Sequence, residues 1–349
     1  MVDVGAVGVG LEVLADVETE AGLAARRYRL TPYRVASSHA VRRRGALDFD
    51  DVPVRAPKQR AKRRHRSRAT ADVVVFGKFD RPGNTRLRAF YGRTDQGPVA
   101  VKVQPWQGER KHGIGREVAA RRRVAELVPE IAPPLHAHGV LEAAEGTLGY
   151  MVEGLVDGRH PLRSEIHEMV GPLAEGLVRL YQAAGVTYEP FSAVASDQLM
   201  VSWKRLAEER DDAADLLPRV ERLLAEDRTV AVSLAHGDPV ASNVVVADGG
   251  RVVLVDWEYA REGPVAGDLA KPLQQAGDQE AALESIERRA GATLVEDGAY
   301  DLREQLALGQ VRLLGWYESQ RVKAEAAGRL PQLQKTLDQR LSMIRWLLG

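Results

Sequence analysis

The 349-residue chain contains no cysteine and no long uninterrupted hydrophobic run. Without cysteine there is no disulfide framework, no thiolate metal site and no thiol nucleophile, so any catalysis must use carboxylates, histidine, lysine, serine or tyrosine. Residues 1–20 also lack a basic segment followed by an apolar core, the pattern of a secretory signal. We therefore expect a cytoplasmic protein with no membrane partner.

A net charge of zero conceals an uneven distribution of charge along the chain. The 49 basic and 49 acidic residues divide into 15 and 8 within 1–70, 12 and 9 within 71–152, and 22 and 32 within 153–349. These three segments carry net charges of +7, +3 and −10. The acidic last segment favours a cationic ligand on electrostatic grounds.

Residues 1–70 are predicted to form a basic N-terminal extension whose fold the pattern does not define. Eight lysines and arginines and no acid lie between Arg55 and Arg68, a composition typical of a solvated linker or of a segment that contacts nucleic acid. No aromatic residue interrupts that run to stack on a base. Of the two interpretations, the linker is therefore favoured.

Five strands and one helix are predicted between residues 71 and 152. Three strands come first, a helix with apolar residues at helical spacing follows, and two more strands complete the segment. The predicted elements are the strands Asp72–Gly77, Leu87–Tyr91 and Pro98–Val103, the helix Gly115–Leu127, and the strands Gly139–Leu141 and Thr147–Val152. This order predicts a small α+β domain with an antiparallel sheet.

The periodicity becomes helical from residue 153 to the end of the chain. Apolar positions recur at helical spacing in six segments, which are Ile166–Ala183, Ser196–Glu209, Leu216–Glu226, Glu280–Ala290, Leu302–Ala324 and Leu333–Leu348. The sequence therefore predicts a second, mainly helical domain over residues 153–349.

Three oxygen-bearing side chains follow two short apolar runs in this second domain. Asp238 and Asn243 come after the first run, Asp256 ends the second, and the turn at 248–250 reverses the chain between them. Carboxylate and amide oxygens are ligands of hard divalent cations such as Mg²⁺. Phosphoryl transfer needs such charge neutralisation together with a carboxylate at the attacking hydroxyl.

The sequence around these residues contains His236-Gly237-Asp238, Asn243, Val255-Asp256-Trp257-Glu258 and Gly267-Asp268-Leu269-Ala270. Together these pieces closely resemble the phosphotransfer signature of the aminoglycoside phosphotransferase and choline kinase superfamily, which shares the protein-kinase fold. The resemblance implies that Asp238 receives the proton of the substrate hydroxyl and that Asn243 and Asp256 hold Mg²⁺. It further implies supporting roles for His236, by packing and hydrogen bonding, and for Asp268, which braces the loop.

Further upstream, Val99-Ala100-Val101-Lys102 resembles the third strand of kinases, whose lysine contacts the α- and β-phosphates. The resemblance places the acid that orients this lysine on the next helix, at Glu117. Glu109 and Glu126 are the alternatives to Glu117.

Two more nucleotide contacts follow from the resemblance. The segment containing Met151 and Glu153 resembles the hinge whose backbone receives the adenine. An ordinary interdomain linker is the alternative interpretation of the same segment. Gly83 and Asn84 lie in the place of the phosphate-covering loop, whose backbone amides can cradle phosphates. This loop has one glycine where protein kinases carry three, and the nucleotide is left open as ATP or GTP.

The resemblance implies an α+β, two-lobed protein-kinase-like fold with an N-lobe at 71–152 and a helical C-lobe at 153–349 that holds the catalytic loop and the acceptor site. The implied activity is Mg²⁺-dependent phosphoryl transfer from ATP or GTP to a hydroxyl of a small molecule, cationic like an aminoglycoside or choline. Four aromatic residues are candidates for lining the acceptor pocket, although such residues more often belong to the core: Trp257, Tyr259, Trp316 and Tyr317.

Two alternative functions are kept. A protein kinase is disfavoured by the single-glycine loop and by the eleven residues between Asp256 and Asp268, too few for an activation segment. A regulatory protein would instead bind nucleic acid or a partner through residues 55–68. The identity of the acceptor and the oligomeric state do not follow from the sequence.

Overall fold

The computed structural model describes residues 11–19, 22–32, 70–79, 88–94, 97–106, 113–143 and 146–349. The chain divides into two compact units, the first comprising Met1–Arg159 with Ala247–Gly249 and the second comprising His160–Val246 with Gly250–Gly349. The basic run at 55–68 and the predicted phosphate-covering residues Gly83 and Asn84 lie outside the described residues. Within the described ranges, no helix is both long and apolar enough to cross a membrane.

The first unit is built on a seven-stranded sheet with the strand order β1-β2-β3-β4-β5-β7-β6. Its strands pair antiparallel except for β2 and β3, which run parallel. Helix α1 follows β5, so the predicted order of three strands, one helix and two strands is confirmed. The elements are β1 (Leu11–Thr19), β2 (Gly22–Pro32), β3 (Thr70–Phe79), β4 (Arg88–Thr94), β5 (Gly97–Pro105), α1 (Ile114–Leu127), β6 (Leu135–Ala143), β7 (Gly146–Gly154) and β8 (Gly158–Arg159).

Strands β1 and β2 extend the sheet beyond the domain boundary predicted at residue 70. They form a hairpin in which Leu11 is paired with Leu30 and Val13 with Tyr28, and β2 continues the sheet by pairing with β3. Apolar residues occupy every second position at Leu11, Val13, Ala15 and Val17, which is the spacing of one face of a strand. That local signal was available in the sequence, but the parallel pairing across residues 33–69 was not.

Helix α1 packs its apolar side against the sheet, on β5, β6 and β7. Ile114, Ala120 and Val124 are buried, while Arg122 on the other side is exposed. The helix ends at Leu127 because Pro129, at the start of the next short turn, has no N–H with which to continue it. Its buried face also carries two charged residues, Glu117 and Arg121.

The remainder of the chain is mainly helical. A three-stranded antiparallel sheet of order β13-β10-β9 and a β11–β12 hairpin accompany the helices. The elements are α2 (Ile166–Ala184), β9 (Thr187–Pro190), α3 (Phe191–Val194), α4 (Leu199–Glu209), α5 (Asp211–Glu226), β10 (Thr229–Ala235), β11 (Val244–Ala247), β12 (Val252–Leu254), β13 (Arg261–Pro264), α6 (Ala266–Gln275), α7 (Gln279–Leu294), α8 (Leu302–Leu314), α9 (Tyr317–Ala326) and α10 (Leu330–Leu348).

The prediction of one helix over Leu302–Ala324 is wrong, because the chain breaks between α8 and α9 at Gly315 and Trp316. A Cβ at Gly315 would lie 3.0 Å from a side-chain carbon of Leu199, so α4 approaches this point closely. The hydroxyl of Ser202 on α4 donates to the carbonyl of Gly315 at 2.9 Å. This long-range contact provides a donor for a carbonyl at the end of α8. The spacing of apolar residues within 302–324 does not reveal it.

The catalytic-loop segment starts from a buried strand. Every residue of β10 from Val230 to Ala235 is buried, and Val230 and Val232 join the main apolar cluster of the second unit, which includes Trp203, Leu308 and Leu341. The loop that follows Ala235 is therefore anchored at its start by the core of the unit.

Candidate active site

Lys102 and Glu117 form an ion pair in the first unit. The Nζ of Lys102 on β5 donates to Oε1 of Glu117 on α1 at 2.5 Å, and only 14% and 4% of the two side chains are exposed. Such a pair fixes the lysine in one position on the sheet, as is needed to hold a phosphate group. Of the three candidate acids, the structure pairs Glu117 with the lysine; Glu109 lies outside the described residues and Glu126 is exposed.

A second buried ion pair lies one helical turn further along α1. The guanidinium of Arg121 approaches Glu153 of β7 at 3.7 Å and donates to the carbonyl of Pro133. Burial lowers the pKa of Arg121, while the negative charges of Glu153 and Glu117 oppose that shift. The side chain of Glu153 therefore belongs to the charged interior of the first unit.

The predicted hinge residues lie inside the sheet. Met151 pairs with Lys102 on one side and His138 on the other, and Glu153 pairs with Ala100 and Leu135. A central strand uses its backbone groups for both neighbours, and both side chains are buried. No observation tests a nucleotide contact here, so the roles of Met151 and Glu153 stay predictions.

In the second unit, Asp268 clamps the start of the loop that follows β10. This carboxylate near the start of α6 accepts the backbone N–H of His236 at 2.7 Å and that of Gly237 at 2.8 Å. It also accepts the hydroxyl of Tyr181 at 3.2 Å. Burial, with the negative charge of Asp268 as a second cause, raises the pKa of Tyr181 well above its usual range.

Gly237 has a conformation and a neighbour that require glycine. Its φ is +84°, and a Cβ there would lie 2.5 Å from the backbone oxygen of Tyr259. Backbone cannot move aside as a flexible side chain can, so the turn between His236 and Asp238 excludes any other residue at this position.

His236 is a fully buried hydrogen-bonding residue of the loop. Its Nδ1 accepts the backbone N–H of Asp238 at 3.2 Å, so Nε2 carries the proton and donates to the carbonyl of Val255 at 3.1 Å. Its ring packs at 4.5 Å from that of Trp257. Burial lowers the pKa of His236, and the neutral ring fits the supporting role that the resemblance implies.

Asp238 is held by two neighbours and remains accessible. The side-chain amide of Asn243 donates to the backbone carbonyl of Asp238 at 2.9 Å and to its Oδ2 at 3.2 Å. The Nζ of Lys271 donates to Oδ1 of Asp238 at 2.8 Å and to the carbonyl of Gly237 at 2.5 Å. About a third of the Asp238 side chain, 31%, is exposed. The carboxylate is thus fixed in place while it can still meet a hydroxyl group.

The backbone brings Asn243 next to Asp256. The N–H of Val255 donates to the carbonyl of Asn243 at 2.9 Å, and Asp256 follows directly with a φ of +66°. The left-handed conformation is one that Asp and Asn tolerate better than most residues. The hydrogen bonds of Asn243 to Asp238 use its amide nitrogen and do not involve its Oδ1.

Asn243 and Asp256 offer the oxygens that a magnesium ion prefers. In the part of the chain that the structure describes, no group of three or more His, Cys, Asp or Glu residues could hold a metal ion by itself. Magnesium bound together with nucleotide phosphates needs only one or two protein ligands. Asn243 and Asp256 supply two such ligands, one amide and one carboxylate.

Helix α6 also supports the site, and the sequence pattern did not predict it. Asp268, Lys271 and Gln275 are spaced three and four residues apart, so they share one face of the helix. All three contact the loop, Gln275 by accepting the N–H of Ala241 at 2.9 Å. This polar spacing could have revealed Lys271, but α6 itself was not among the predicted helices.

The four aromatic candidates divide between core and surface. Trp257 and Tyr317 are buried, and the hydroxyl of Tyr317 donates to Glu209. Tyr259 and Trp316 are about half exposed. The first two therefore serve the core, and of the four only Tyr259 and Trp316 reach the surface.

Asp268→Ala should lower the free energy of unfolding by roughly 2–5 kcal/mol, because two backbone N–H groups and a buried hydroxyl lose their acceptor. Urea denaturation of the purified variant measures this loss. The control is Asp278→Ala, which removes only the helix cap that accepts the N–H of Ala281 and should cost about 1 kcal/mol. Equal losses in the two variants would show that the Asp268 clamp does not stabilise the loop.

A family comparison makes this chain a small-molecule kinase, an enzyme that transfers a phosphoryl group to a hydroxyl acceptor. The chain belongs to the phosphotransferase enzyme family APH, whose family model matches residues 81–302. The family predicted from the His236 to Ala270 motifs is thereby confirmed.

Comparison with solved structures shows a shared fold. A thermostable mutant of aminoglycoside phosphotransferase APH(4)-Ia, in a ternary complex with ADP and hygromycin B, is 15% identical, with 78% of this chain and 94% of that chain covered at a TM-score of 0.50. The predicted kinase-like fold class is thereby confirmed.

Two other similar structures have TM-scores of 0.48. Choline kinase LicA from Streptococcus pneumoniae is 15% identical, with 77% of this chain and 94% of that chain covered. The AMP-bound spectinomycin phosphotransferase APH(9)-Ia is 10% identical, with 74% and 90% covered. A search of the curated proteins finds no match.

Proposed function

We propose that this phosphotransferase uses ATP with Mg²⁺ and that Asp238 is its catalytic base. The observation that carries the proposal is the arrangement of Asp238, which Lys271 and Asn243 hold in place while part of its side chain remains accessible. Phosphoryl transfer depends on positioning and charge neutralisation more than on covalent chemistry by the protein. A fixed, accessible carboxylate is what the attacking hydroxyl requires.

The proposed reaction moves one phosphoryl group and one proton. The acceptor oxygen forms a bond to the γ-phosphorus as the bond from that phosphorus to the β,γ-bridging oxygen breaks, and ADP leaves. The proton of the acceptor hydroxyl passes to the carboxylate of Asp238. Lys271 keeps that carboxylate oriented through its 2.8 Å hydrogen bond.

The first unit supplies the proposed contacts to the nucleotide. Lys102, oriented by Glu117, would hold the α- and β-phosphates, while Gly83 and Asn84 stay predicted contacts outside the described residues. The ADP in the APH(4)-Ia complex supports an adenine nucleotide. We keep GTP as the alternative to ATP.

Asn243 through Oδ1 and Asp256 through its carboxylate would hold Mg²⁺. When bound, this ion neutralises phosphate charge during transfer. The protein's contribution is to fix the positions of the two ligands. The hydrogen bond from the N–H of Val255 to the carbonyl of Asn243 holds their two segments together.

We propose a cationic acceptor, which the charge of −10 over residues 153–349 supports. An open groove of about 740 Å³ lies between the α6–α7 connection and α10, and its lining includes Asp278, Glu280, Asp338 and Trp346. Its lining also includes Gln274, the residue that precedes the Gln275 that contacts the catalytic loop.

The deciding experiment combines a thermal-shift screen with an ADP-release assay. Mg·ATP and Mg·GTP are tested alone and with aminoglycosides, choline, sugars and nucleosides, because a ligand that binds the folded state raises its stability. We expect stabilisation by Mg·ATP and ADP release with at least one cationic alcohol. Absence of stabilisation by either nucleotide would contradict the proposal. ADP release only with neutral sugars or nucleosides would contradict the cationic acceptor alone.

The regulatory alternative rests on residues 55–68, which lie outside the described residues, so a nucleic-acid contact there stays a hypothesis. The protein-kinase alternative is not supported, since the chain belongs to the phosphotransferase enzyme family. The family match accordingly favours a small-molecule hydroxyl over a protein acceptor.

A further inference from the structure

The ion pair between Lys271 and the proposed base Asp238 leaves one donor of the lysine unused. The Nζ of Lys271 donates to Oδ1 of Asp238 at 2.8 Å and to the backbone carbonyl of Gly237 at 2.5 Å. An ammonium group carries three N–H donors, and the third has no acceptor among the residues that the structure describes. The Lys271 side chain is 14% exposed. A largely buried cation beside the carboxylate therefore retains one donor for a ligand.

Helix α6 presents Lys271 from a fixed position. Leu269, Ala270 and Leu273 have no exposed surface, and the side-chain amide of Gln310 on α8 donates to the carbonyl of Ala270 at 2.7 Å. These contacts anchor the helix in the core of the second unit on both sides of Lys271. Because the helix and the two bonds from Nζ both restrain the lysine, its ammonium is placed as exactly as a group that contacts substrate requires.

A hydroxyl bound at Asp238 would bring the transferred phosphoryl group close to Lys271. Its oxygen would lie about 2.6–3.2 Å from the carboxylate that takes its proton. The phosphorus that this oxygen attacks would lie about 3–3.5 Å further on. The phosphoryl group is then within about 7 Å of the Asp238 carboxylate, and Nζ of Lys271 contacts an oxygen of that same carboxylate. The ammonium is therefore a positive charge beside the reacting atoms.

The proposed reaction changes the charge that faces Lys271. Before transfer, the carboxylate of Asp238 neutralises the ammonium group. When the proton of the acceptor hydroxyl passes to Asp238, the carboxylate becomes a neutral acid and Lys271 loses its negative partner. The acceptor oxygen has meanwhile become bonded to phosphorus, so the product phosphate carries negative charge at the same place. The attraction between Lys271 and the phosphoryl oxygens therefore grows during transfer, which is the condition for lowering the barrier.

We infer that Lys271 is a catalytic residue whose ammonium group binds an oxygen of the transferred phosphoryl group while Asp238 takes the proton. This inference rests on the proposed function, because it requires Asp238 to be the base. The bonds to Asp238 and Gly237 set Nζ in place, and the third N–H makes the contact to the phosphoryl oxygen. Lys271 differs in this respect from Asn243, which holds Asp238 through a neutral amide and supplies no charge.

The test compares wild type with Lys271→Met, which keeps most of the aliphatic stem and removes the charge and the donors. The loop stays supported in this variant, because the contacts of Asp268 to the loop do not involve Lys271. Lys204→Met is the matched control, since Lys204 also pairs with a carboxylate, that of Glu221 at 3.5 Å, but at an exposed position. Calorimetry measures Mg·ADP affinity with and without aluminium fluoride, a mimic of the transferred phosphoryl group.

We expect aluminium fluoride to tighten Mg·ADP binding in wild type and in Lys204→Met, and at least about tenfold of that tightening to be lost in Lys271→Met. Affinity for Mg·ADP alone should change by less than about threefold, because Lys271 contacts the group that ADP lacks. Lys271→Arg keeps a positive charge and should retain more of the fluoride effect than Lys271→Met. An equal fluoride effect in wild type and Lys271→Met overturns the inference, while wild-type binding of Mg·ADP leaves the proposed function intact.

The Asp238→Asn background separates a direct contact from an effect that passes through Asp238. A lysine that acts only by orienting the base has no base to act on in this background. We expect Lys271→Met to remove at least about tenfold of the fluoride effect there as well, because the phosphoryl mimic still presents its negative charge to Nζ. If Lys271→Met no longer changes the fluoride effect in Asp238→Asn, Lys271 is a positioning residue for Asp238 and the inference is overturned.

Lys271→Gln tests the same contact if thermal melting shows that Lys271→Met is unstable. Glutamine keeps an N–H donor for the carbonyl of Gly237 and removes the charge. We expect its fluoride effect to fall as in Lys271→Met, since a charged donor binds phosphoryl oxygens more strongly than a neutral one. A wild-type fluoride effect in Lys271→Gln would show that the charge of Lys271 does not contact the phosphoryl group, and it would overturn the inference.

Discussion

Asp238→Ala should reduce phosphoryl transfer about 10²–10⁴-fold, the usual contribution of a positioned general base. Affinity for Mg·ATP should change by less than about threefold, since the nucleotide is held mainly by other groups. The substitution leaves the loop supported, because the Asp268 bonds to His236 and Gly237 involve neither oxygen of Asp238. Steady-state turnover and calorimetric nucleotide binding measure the two quantities separately.

The control for this prediction is Asp248→Ala, which replaces an exposed carboxylate in the β11–β12 turn of the same segment. It should retain wild-type turnover. Asp238→Asn preserves the size of the side chain and should be as inactive as alanine, because an amide cannot accept the proton. Turnover of Asp238→Ala within about threefold of wild type would contradict the assignment of the base.

Asp256→Asn should weaken Mg-dependent nucleotide binding itself, because it removes a charged oxygen from the proposed metal site. Asparagine is the appropriate replacement, since residue 256 has a φ of +66° and Asn adopts that region nearly as readily as Asp. We expect the Mg²⁺ concentration for half-maximal nucleotide binding to rise by roughly tenfold or more.

The measurement for Asp256→Asn is a Mg²⁺ titration of nucleotide affinity at fixed ionic strength. Asp238→Asn serves as the comparison, since it changes an acid of the same loop that is assigned to proton transfer rather than to the metal. Its titration curve should follow that of wild type. Superimposable curves for Asp256→Asn and wild type would show that Asp256 does not bind the metal.

The sequence predicted the loop from His236 to Asp256 well because its geometry is local. Asp238 and Asn243 are five residues apart, and a hairpin with a glycine turn brings Asp256 back to Asn243. Such contacts depend on turn chemistry and strand alternation, which short windows of sequence record. The pairing of Lys102 with Glu117 was also predicted, since α1 directly follows β5.

Element boundaries were less well predicted where distant parts of the chain decide them. The break at Gly315 depends on Ser202, more than one hundred residues away in sequence, and the apolar periodicity continues across it. The boundary at residue 70 does not separate the sheet, because β2 pairs with β3 across residues 33–69. Local patterns carry no information about such partners.

The sequence alone determined the family and the α+β order of elements, and it predicted the acid, amide and metal-type residues of the loop, because these follow from short motifs and local periodicity. Only the tertiary structure decided how those residues are supported. Lys271 reaches Asp238 across 33 residues, and Arg121 meets Glu153 between helix and sheet. Each of these placements depends on how helices pack, and packing is a property of the whole folded chain rather than of any single segment.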